Sequence, residues 1–256
     1  MSYQLTKKEK LSVIMPRKDI ELDALSQILN GEMHITCHSY VQSEINMLMK
    51  VAEKFNFKVN TFTHILEGYK VADIMASHGA GGASFADWWA FKNEVKEAIP
   101  YNAALMSQAG VVTAINSDNR EMARRLNQEA GKTIKYGNLS EVEAMKLVTL
   151  NPAKLLNLDH RMGSIKIGKD ADLVLWNEHP LSIYSKPLKT IVDGKIYYDI
   201  EEDEILREEI KRERARIISK MKNSETPVGG RRKPIKTAHF ELTCEDEYDY
   251  QSTSEN

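Results

Sequence analysis

The sequence predicts an α/β protein built as about half of a TIM-like (β/α)8 barrel, followed by a small β-rich segment and a charged helix and tail. Three observations carry this expectation. Three strand-like runs each close on a polar residue: 33–38 on His38, 57–64 on His64, and 111–118 on Asp118. A helical pattern follows each run, and functional groups at the C-terminal ends of strands are the layout of such a barrel. The region suited to it, residues 1–160 of 256, is short for the whole fold, which takes about 250 residues.

The elements follow in order. Residues 1–17 carry no clear pattern. Asp19 to Asn30 reads as a helix, with Asp19 as cap, Leu22, Leu25 and Leu29 on one face, and Gly31 as the stop. After the first strand, Ser43 to Phe55 places Ile45, Leu48, Met49, Ala52 and Phe55 at helical spacing. After the second strand, Tyr69 to Ser77 is a shorter helix, and His78 to Ser84 a short strand. An aromatic stretch, Phe85 to Pro100, leads to a helix over Tyr101–Ala109 that Gly110 ends. The third clear strand is followed by a helix over Asn119–Ala130. Another starts at Ser140, with Glu143 in capping-box position. Asn151-Pro152 breaks it and opens one more, since Asn caps well and Pro fits the first helical position.

Beyond Leu158 the periodicity changes. Residues 163–176 read as two short strands around a turn, and Thr190 to Tyr198 as a hairpin centred on Asp193-Gly194. The expected division is a partial barrel over 1–160, a β-sandwich segment over 161–200, a charged helix over 201–222, and a polar tail over 223–256 too poor in core residues to order.

Composition removes several classes of function. A net charge of −2 argues against a nucleic-acid partner, and the basic cluster Arg231–Lys233 is offset by acids at 245–249. No stretch is long and apolar enough for a membrane span, and no signal-type segment precedes the first helix. Cys37 and Cys244 suggest no disulfide framework, so a reduced, cytoplasmic setting is expected for the chain as given.

The chemistry lies at the three strand ends. Alternation along a strand puts His38 in phase with Thr36 and His34, His64 with Phe62 and Asn60, and Asp118 with Asn116 and Ala114. Taken as inward sets, they ring one end of the barrel. Two imidazoles and a carboxylate suit a divalent ion, Zn first, with Fe, Mn or Ni accepting similar ligands. Such an ion lowers the pKa of a bound water to ~7, and a neighbouring carboxylate can take the proton. Each residue alone has a plainer reading: a strand-end His as a hydrogen-bonded structural group, and Asp118 as a helix cap.

The chain resembles the C-terminal portion of a metal-dependent amidohydrolase of the imidazolonepropionase-like group. The motifs are Cys37-His38-Ser39-Tyr40, Thr63-His64-Ile65-Leu66-Glu67-Gly68-Tyr69-Lys70, Pro100-Tyr101-Asn102-Ala103-Ala104-Leu105-Met106 and Asn116-Ser117-Asp118-Asn119. A fifth is Asn151-Pro152-Ala153 leading to Gly163-Ser164-Ile165 and Gly168-Lys169-Asp170-Ala171-Asp172-Leu173-Val174. The resemblance implies that the four barrel strands are strands 5–8. It implies that His38 and His64 are the metal ligands of strands 5 and 6, and that Asp118 is the catalytic aspartate of strand 8, both ligand and proton shuttle. It further implies hydrolysis of C–N bonds in a small-molecule or peptide-like amide. Substrate-binding residues stay unassigned, although Asp87–Lys92 falls in a loop where substrate contacts are common.

One departure stands out. The seven histidines include no His-x-His pair, the family's other ligand motif. The expected activity of this chain alone is therefore weak or nil. The chain reads as a truncated gene product, a C-terminal fragment or one chain of a split enzyme, and in the last case a complementary N-terminal chain or a second copy is the expected partner. The competing reading is a half-barrel without catalysis that serves as an interaction module or as a subunit of a split enzyme.

Overall fold

The structure, a computed structural model, describes residues 17–86 and 92–223. The expectations for the N-terminal run, for the aromatic residues 87–91 and for the tail with its basic cluster lie outside those residues.

Helix α1 (Ile20–Leu29) is capped by Asp19, whose carboxylate accepts from the backbone N–H groups of Glu21 and Leu22 at 3.0 and 3.1 Å. Its apolar stripe is not buried; Leu22, Leu25 and Leu29 are all more than half exposed. Then come β1 (Thr36–His38), α2 (Gln42–Phe55), β2 (Thr61–Thr63), a 3-10 turn at Gly68–Lys70, α3 (Ala72–His78) and β3 (Gly81–Ser84). A second 3-10 turn (Asn93–Val95), α4 (Asn102–Gln108) and β4 (Thr113–Ile115) complete the pattern. The four strands pair in parallel in the order β1-β2-β3-β4. The strands follow one another in chain order without the reversal of direction that marks a doubly wound sheet.

The helices lie on one face. Ile45, Met49 and Ala52 of α2, Met75 of α3 and Met106 of α4 bury against Val59 and Phe62 to form the main core. A second cluster joins Ala103 and Ala104 of α4 to Ile115, Leu139 and Leu147. On the other face Thr36 and His38 are exposed, and Leu155 covers Gly81 so closely that a Cβ there would come within 2.0 Å of it.

After β4 the expected single helix is two, α5 (Arg120–Ala123) and α6 (Leu126–Gly137), broken at Arg124-Arg125. The break lets α6 bury Glu129, Ala130 and Thr133 and bring Gly137 against Ala104. Next come α7 (Glu141–Lys146), capped by Ser140 as expected, and α8 (Leu150–Leu155). Asn151 is not the cap of α8. It is buried inside the first turn and donates to the Thr113 carbonyl at 2.8 Å, pinning α8 to β4.

The β-rich segment is one antiparallel sheet, β5 (Leu173–Trp176), β6 (Pro187–Val192) and β7 (Lys195–Asp199), in that order. The Asp193-Gly194 turn has φ of 50° and 76°, the two positive values that a hairpin turn matched to strand twist requires. The first strand expected over 163–176 is replaced by turns. There the Lys169 ammonium donates to the Asp159 and Met162 carbonyls and to Ser164 Oγ. Helix α9 (Ile200–Lys222), capped by Asp199, buries no residue and is tied by exposed pairs such as Arg207 with Asp203.

Two buried side chains join the strand-end loops. Glu67 accepts from the Gln42 N–H at 3.1 Å, serving the start of α2 where Val41 supplies no side-chain cap. Asn102 is fully buried. Its Nδ2 donates to the Ile65 carbonyl and to Ser84 Oγ, both at 2.8 Å, and its Oδ1 accepts from the Tyr69 N–H at 2.9 Å. Asn102→Ala strands these groups and is expected to cost about 3 kcal/mol, read as a lowered urea midpoint with unchanged slope.

Candidate functional site

His64 stands one residue beyond β2, buried, with φ +62°. Left-handed backbone costs a non-glycine residue about 1 kcal/mol and persists where the surroundings enforce it. Here they do. Ile65 N–H donates to the Ala83 carbonyl at 3.2 Å, and the Ile65 carbonyl is held by Asn102.

This conformation corrects the alternation argument. Phe62 lies in the core beneath the helices, so regular alternation would carry His64 there as well. The left-handed turn swings the imidazole to the opposite face, among the strand-end groups. His38 and Asn116 come to that face by ordinary alternation.

The rings meet closely. His38 and His64 have centroids 4.5 Å apart. Phe85 stacks on His64 at 5.1 Å, and Tyr40 at 6.1 Å. His64 Nδ1 is 3.4 Å from Asp118 Oδ2 and 3.2 Å from the side-chain amide of Asn116. Asp118 is free for this role because Asn119, not Asp118, caps α5. A carboxylate beside Nδ1 favours the tautomer protonated there, which leaves the lone pair on Nε2. Nε2 is buried and has no hydrogen-bond partner, and Thr63 Oγ1 and Asn116 Oδ1 are likewise buried without one. Burial holds the His64 pKa below its ordinary value. The Asp118 charge opposes that shift, while His38 and Lys92 add to it. The Lys92 ammonium stands 4.1 Å above the Tyr40 ring.

All three residues named from the sequence therefore gather at one end of the sheet, with His64 in the middle. Thr63, Asn116, Tyr40, Phe85 and Lys92 were not singled out as site groups. Tyr40 and Asn116 do sit within the quoted motifs, and Lys92 in the loop marked for substrate contacts.

The comparisons with known proteins agree. A family model described as "Amidohydrolase family" matches residues 89–197. Amidohydrolase tasK of Hapsidospora irregularis is 30% identical over 187 residues, which is 71% of this chain and 19% of that protein. The crystal structure of an amidohydrolase from Thermotoga maritima superposes with a TM-score of 0.67 at 27% identity, over 75% of this chain and 51% of the other. This chain belongs to the amidohydrolase superfamily. The urease alpha subunit of Edwardsiella ictaluri is 33% identical over 109 residues, 36% of the chain and 19% of the subunit. A prolidase solved with N-methylphosphonate-L-proline shares the fold, with a TM-score of 0.51 at 18% identity, over 68% of this chain and 48% of that one. The chain thus spans about a fifth of the curated relatives it matches and about half of these solved structures.

Superfamily membership raises the question of a metal. The donors of this amidohydrolase chain suit one: an orphaned imidazole nitrogen, a second imidazole against it, and a carboxylate orienting the first ring through its other nitrogen, the usual arrangement around a metal-bound histidine. Among the described residues, no three His, Cys, Asp or Glu side chains close into a full metal cage.

The pKa shift has a stability consequence. The unfolded chain binds the His64 proton more tightly than the folded one, so the associated stability is full above pH 6.5 and is lost as pH falls below it. The metal-free protein is expected to lose more thermal stability between about pH 7.5 and about pH 5.5 than its His64→Gln variant. Asp118→Asn is expected to push the His64 NMR titration lower still; a midpoint above 6.5 in the wild type contradicts the assignment.

Proposed function

We propose that this chain carries part of the active site of a metal-dependent hydrolase acting on C–N bonds, in amides, cyclic amides or peptide-like compounds. The observation that carries the reading is His64, turned out of the core at an energetic cost, oriented by Asp118, and left with a buried, unpartnered Nε2 beside His38. The names of the relatives support the same bond class: an amidohydrolase, a urease subunit and a prolidase bound to a proline analogue.

His38 and His64 would hold a divalent ion, Zn first, and Asp118 would join them as a ligand only by leaving Nδ1 of His64, where its carboxylate now orients the ring. When bound, such an ion makes water a stronger acid and polarises the carbonyl under attack. The chain's own groups do the rest. Phe85 and Tyr40 wall the imidazole from bulk water. Asp118 fixes the His64 tautomer, and its carboxylate accepts a proton and returns it to the departing nitrogen.

The same reading treats the four-stranded sheet as half a barrel whose remaining strands lie outside the given residues. Strand β1 has no outer neighbour among the described residues. In the helices before and after it, Ile20, Leu22, Leu25 and Leu29 of α1 and Met47, Val51 and Phe55 of α2 are exposed. The remaining strands and ligands, on a longer form of this polypeptide or on a complementary chain, cover this surface and close the cage. The second reading, an interaction module without catalysis, is favoured by the absence of a complete cage among the described residues.

Metal content after dialysis tests the proposal, on wild type and on His64→Ala. We expect near-stoichiometric metal in the wild type and its loss in the variant. Purified monomer is expected to hydrolyse amides weakly or not at all. A wild type that retains no metal favours the interaction module, and strong, chelator-sensitive turnover by monomer overturns the half-barrel reading.

A further inference from the structure

We propose that helix α9 is a self-association arm: two copies of this chain pair through it, antiparallel, about a two-fold axis between Glu213 and Arg214.

The helix lies outside what the family accounts for. The family match ends at residue 197, and α9 runs from Ile200 to Lys222. Its root is fixed. Asp199 caps the first turn, accepting from the Glu201 N–H at 3.0 Å, and pairs with Lys189 of β6 at 2.6 Å. The helix itself buries no residue. Yet it carries an apolar stripe. Leu206, Ile210, Ile217 and Met221 fall within about 60° of one another around the axis, at 3.6 residues per turn. They are between 44% and 66% exposed, so no described element covers them.

The occupant follows from the spacing. The stripe reads the same in both directions, with steps of four, seven and four residues. An antiparallel second copy centred between Glu213 and Arg214 therefore sets Leu206 of each chain against Met221 of the other, and Ile210 against Ile217. This is the self-complementary patch that a two-fold interface needs. Glu213 and Arg214 interrupt the stripe at its centre, so the layer on the axis is charged. A polar layer inside an apolar seam fixes the register of the pair.

The charges select the direction. Residues 200–211 hold six acids and two bases, and residues 212–222 hold one acid and five bases, so the halves carry −4 and +4. Antiparallel pairing lays each acidic half on a basic one, whereas parallel pairing lays like on like. The helix dipole favours the same order of charges, but only in the first and last turns. Glu208, Glu209, Arg212, Arg214 and Arg216 lie inside them. The ion pairs of Asp203 with Arg207, Glu208 with Lys211 and Glu213 with Arg216 each fall within one half, and leave the difference between the halves intact.

The full chain is weighed by sedimentation equilibrium at micromolar concentration. We expect twice the monomer mass of 29.1 kDa. Ile210→Asp combined with Ile217→Asp is expected to return the mass to that of the monomer, with the chain still folded by circular dichroism. Ala215→Asp, on the side of the helix opposite the stripe, is expected to leave the dimer intact. Orientation is read by a zero-length carbodiimide cross-link between Glu209 and Lys220. These stand about 16 Å apart along one helix or a parallel pair, and come side by side only between antiparallel copies. A monomeric wild type overturns the proposal, and a cross-link from the helix to residues beyond 223 then names the chain's own tail as the occupant of the stripe. A dimer that survives the double variant overturns the assignment to this helix. A dimer that cross-links elsewhere on the helix but not between Glu209 and Lys220 overturns the antiparallel pairing.

Discussion

The side chain of Asn102 is the constraint on which the rest of the site depends. Its amide reaches the loop after β2, the end of β3 and the turn at Gly68–Lys70, three segments that no single ladder of backbone bonds connects. Parallel strands leave their ends to be fixed by something else, because the connection that follows each strand leads away into a helix. In this chain the fixing group is one fully buried amide that uses donors and acceptor together. Through the Ile65 carbonyl it also holds the residue next to His64, so the unusual backbone of the histidine is a product of the core. The glycines beneath obey the same tight geometry. A Cβ on Gly82 would fall within 2.8 Å of Ile65 and close to Met75.

The sheet is asymmetric in chemistry as well as in shape. One face is closed by α2, α3 and α4, and its side chains are Cys37, Phe62 and Ile115. The other presents Thr36, His38, Thr63 and Asn116, all able to exchange hydrogen bonds. A face of this kind is not packed with aliphatic groups, and its upper end carries the buried polar atoms that lack a partner, Thr63 Oγ1, His64 Nε2 and Asn116 Oδ1. Lower down, Leu155 of α8 covers the same face over Gly81, and the Leu155 carbonyl accepts from Thr61 Oγ1. The face is thus plugged by α8 at one end and polar at the other.

Much of this was legible in the sequence, for definable reasons. The helix of 43–55 and the Asp193-Gly194 hairpin depend on local periodicity and turn chemistry, and both stand where those rules put them. The convergence of His38, His64 and Asp118 follows from their shared position at strand ends. The exceptions come from long-range contacts. His64 could not be assigned to its face by counting residues from Phe62, because a tertiary clamp sets its φ. Asn151 looked like a cap and instead bonds the Thr113 carbonyl, 38 residues away in sequence. The helix after Asp118 divides because α6 packs on α4, which its own sequence does not announce. Leu22, Leu25 and Leu29 form the stripe expected of a packed helix, yet no described element covers them.

The left-handed backbone at His64 has an evolutionary side. Asparagine tolerates that conformation better than histidine does, and the codons of the two amino acids differ by one base. The replacement that removes the imidazole therefore also relieves the backbone. Backbone strain thus favours the loss of the imidazole, and what keeps a histidine there is the set of contacts its ring makes and the chemistry it serves. A lineage released from that chemistry would lose one of the two restraints on the position, and the relief of the backbone would then favour a shell without its central imidazole.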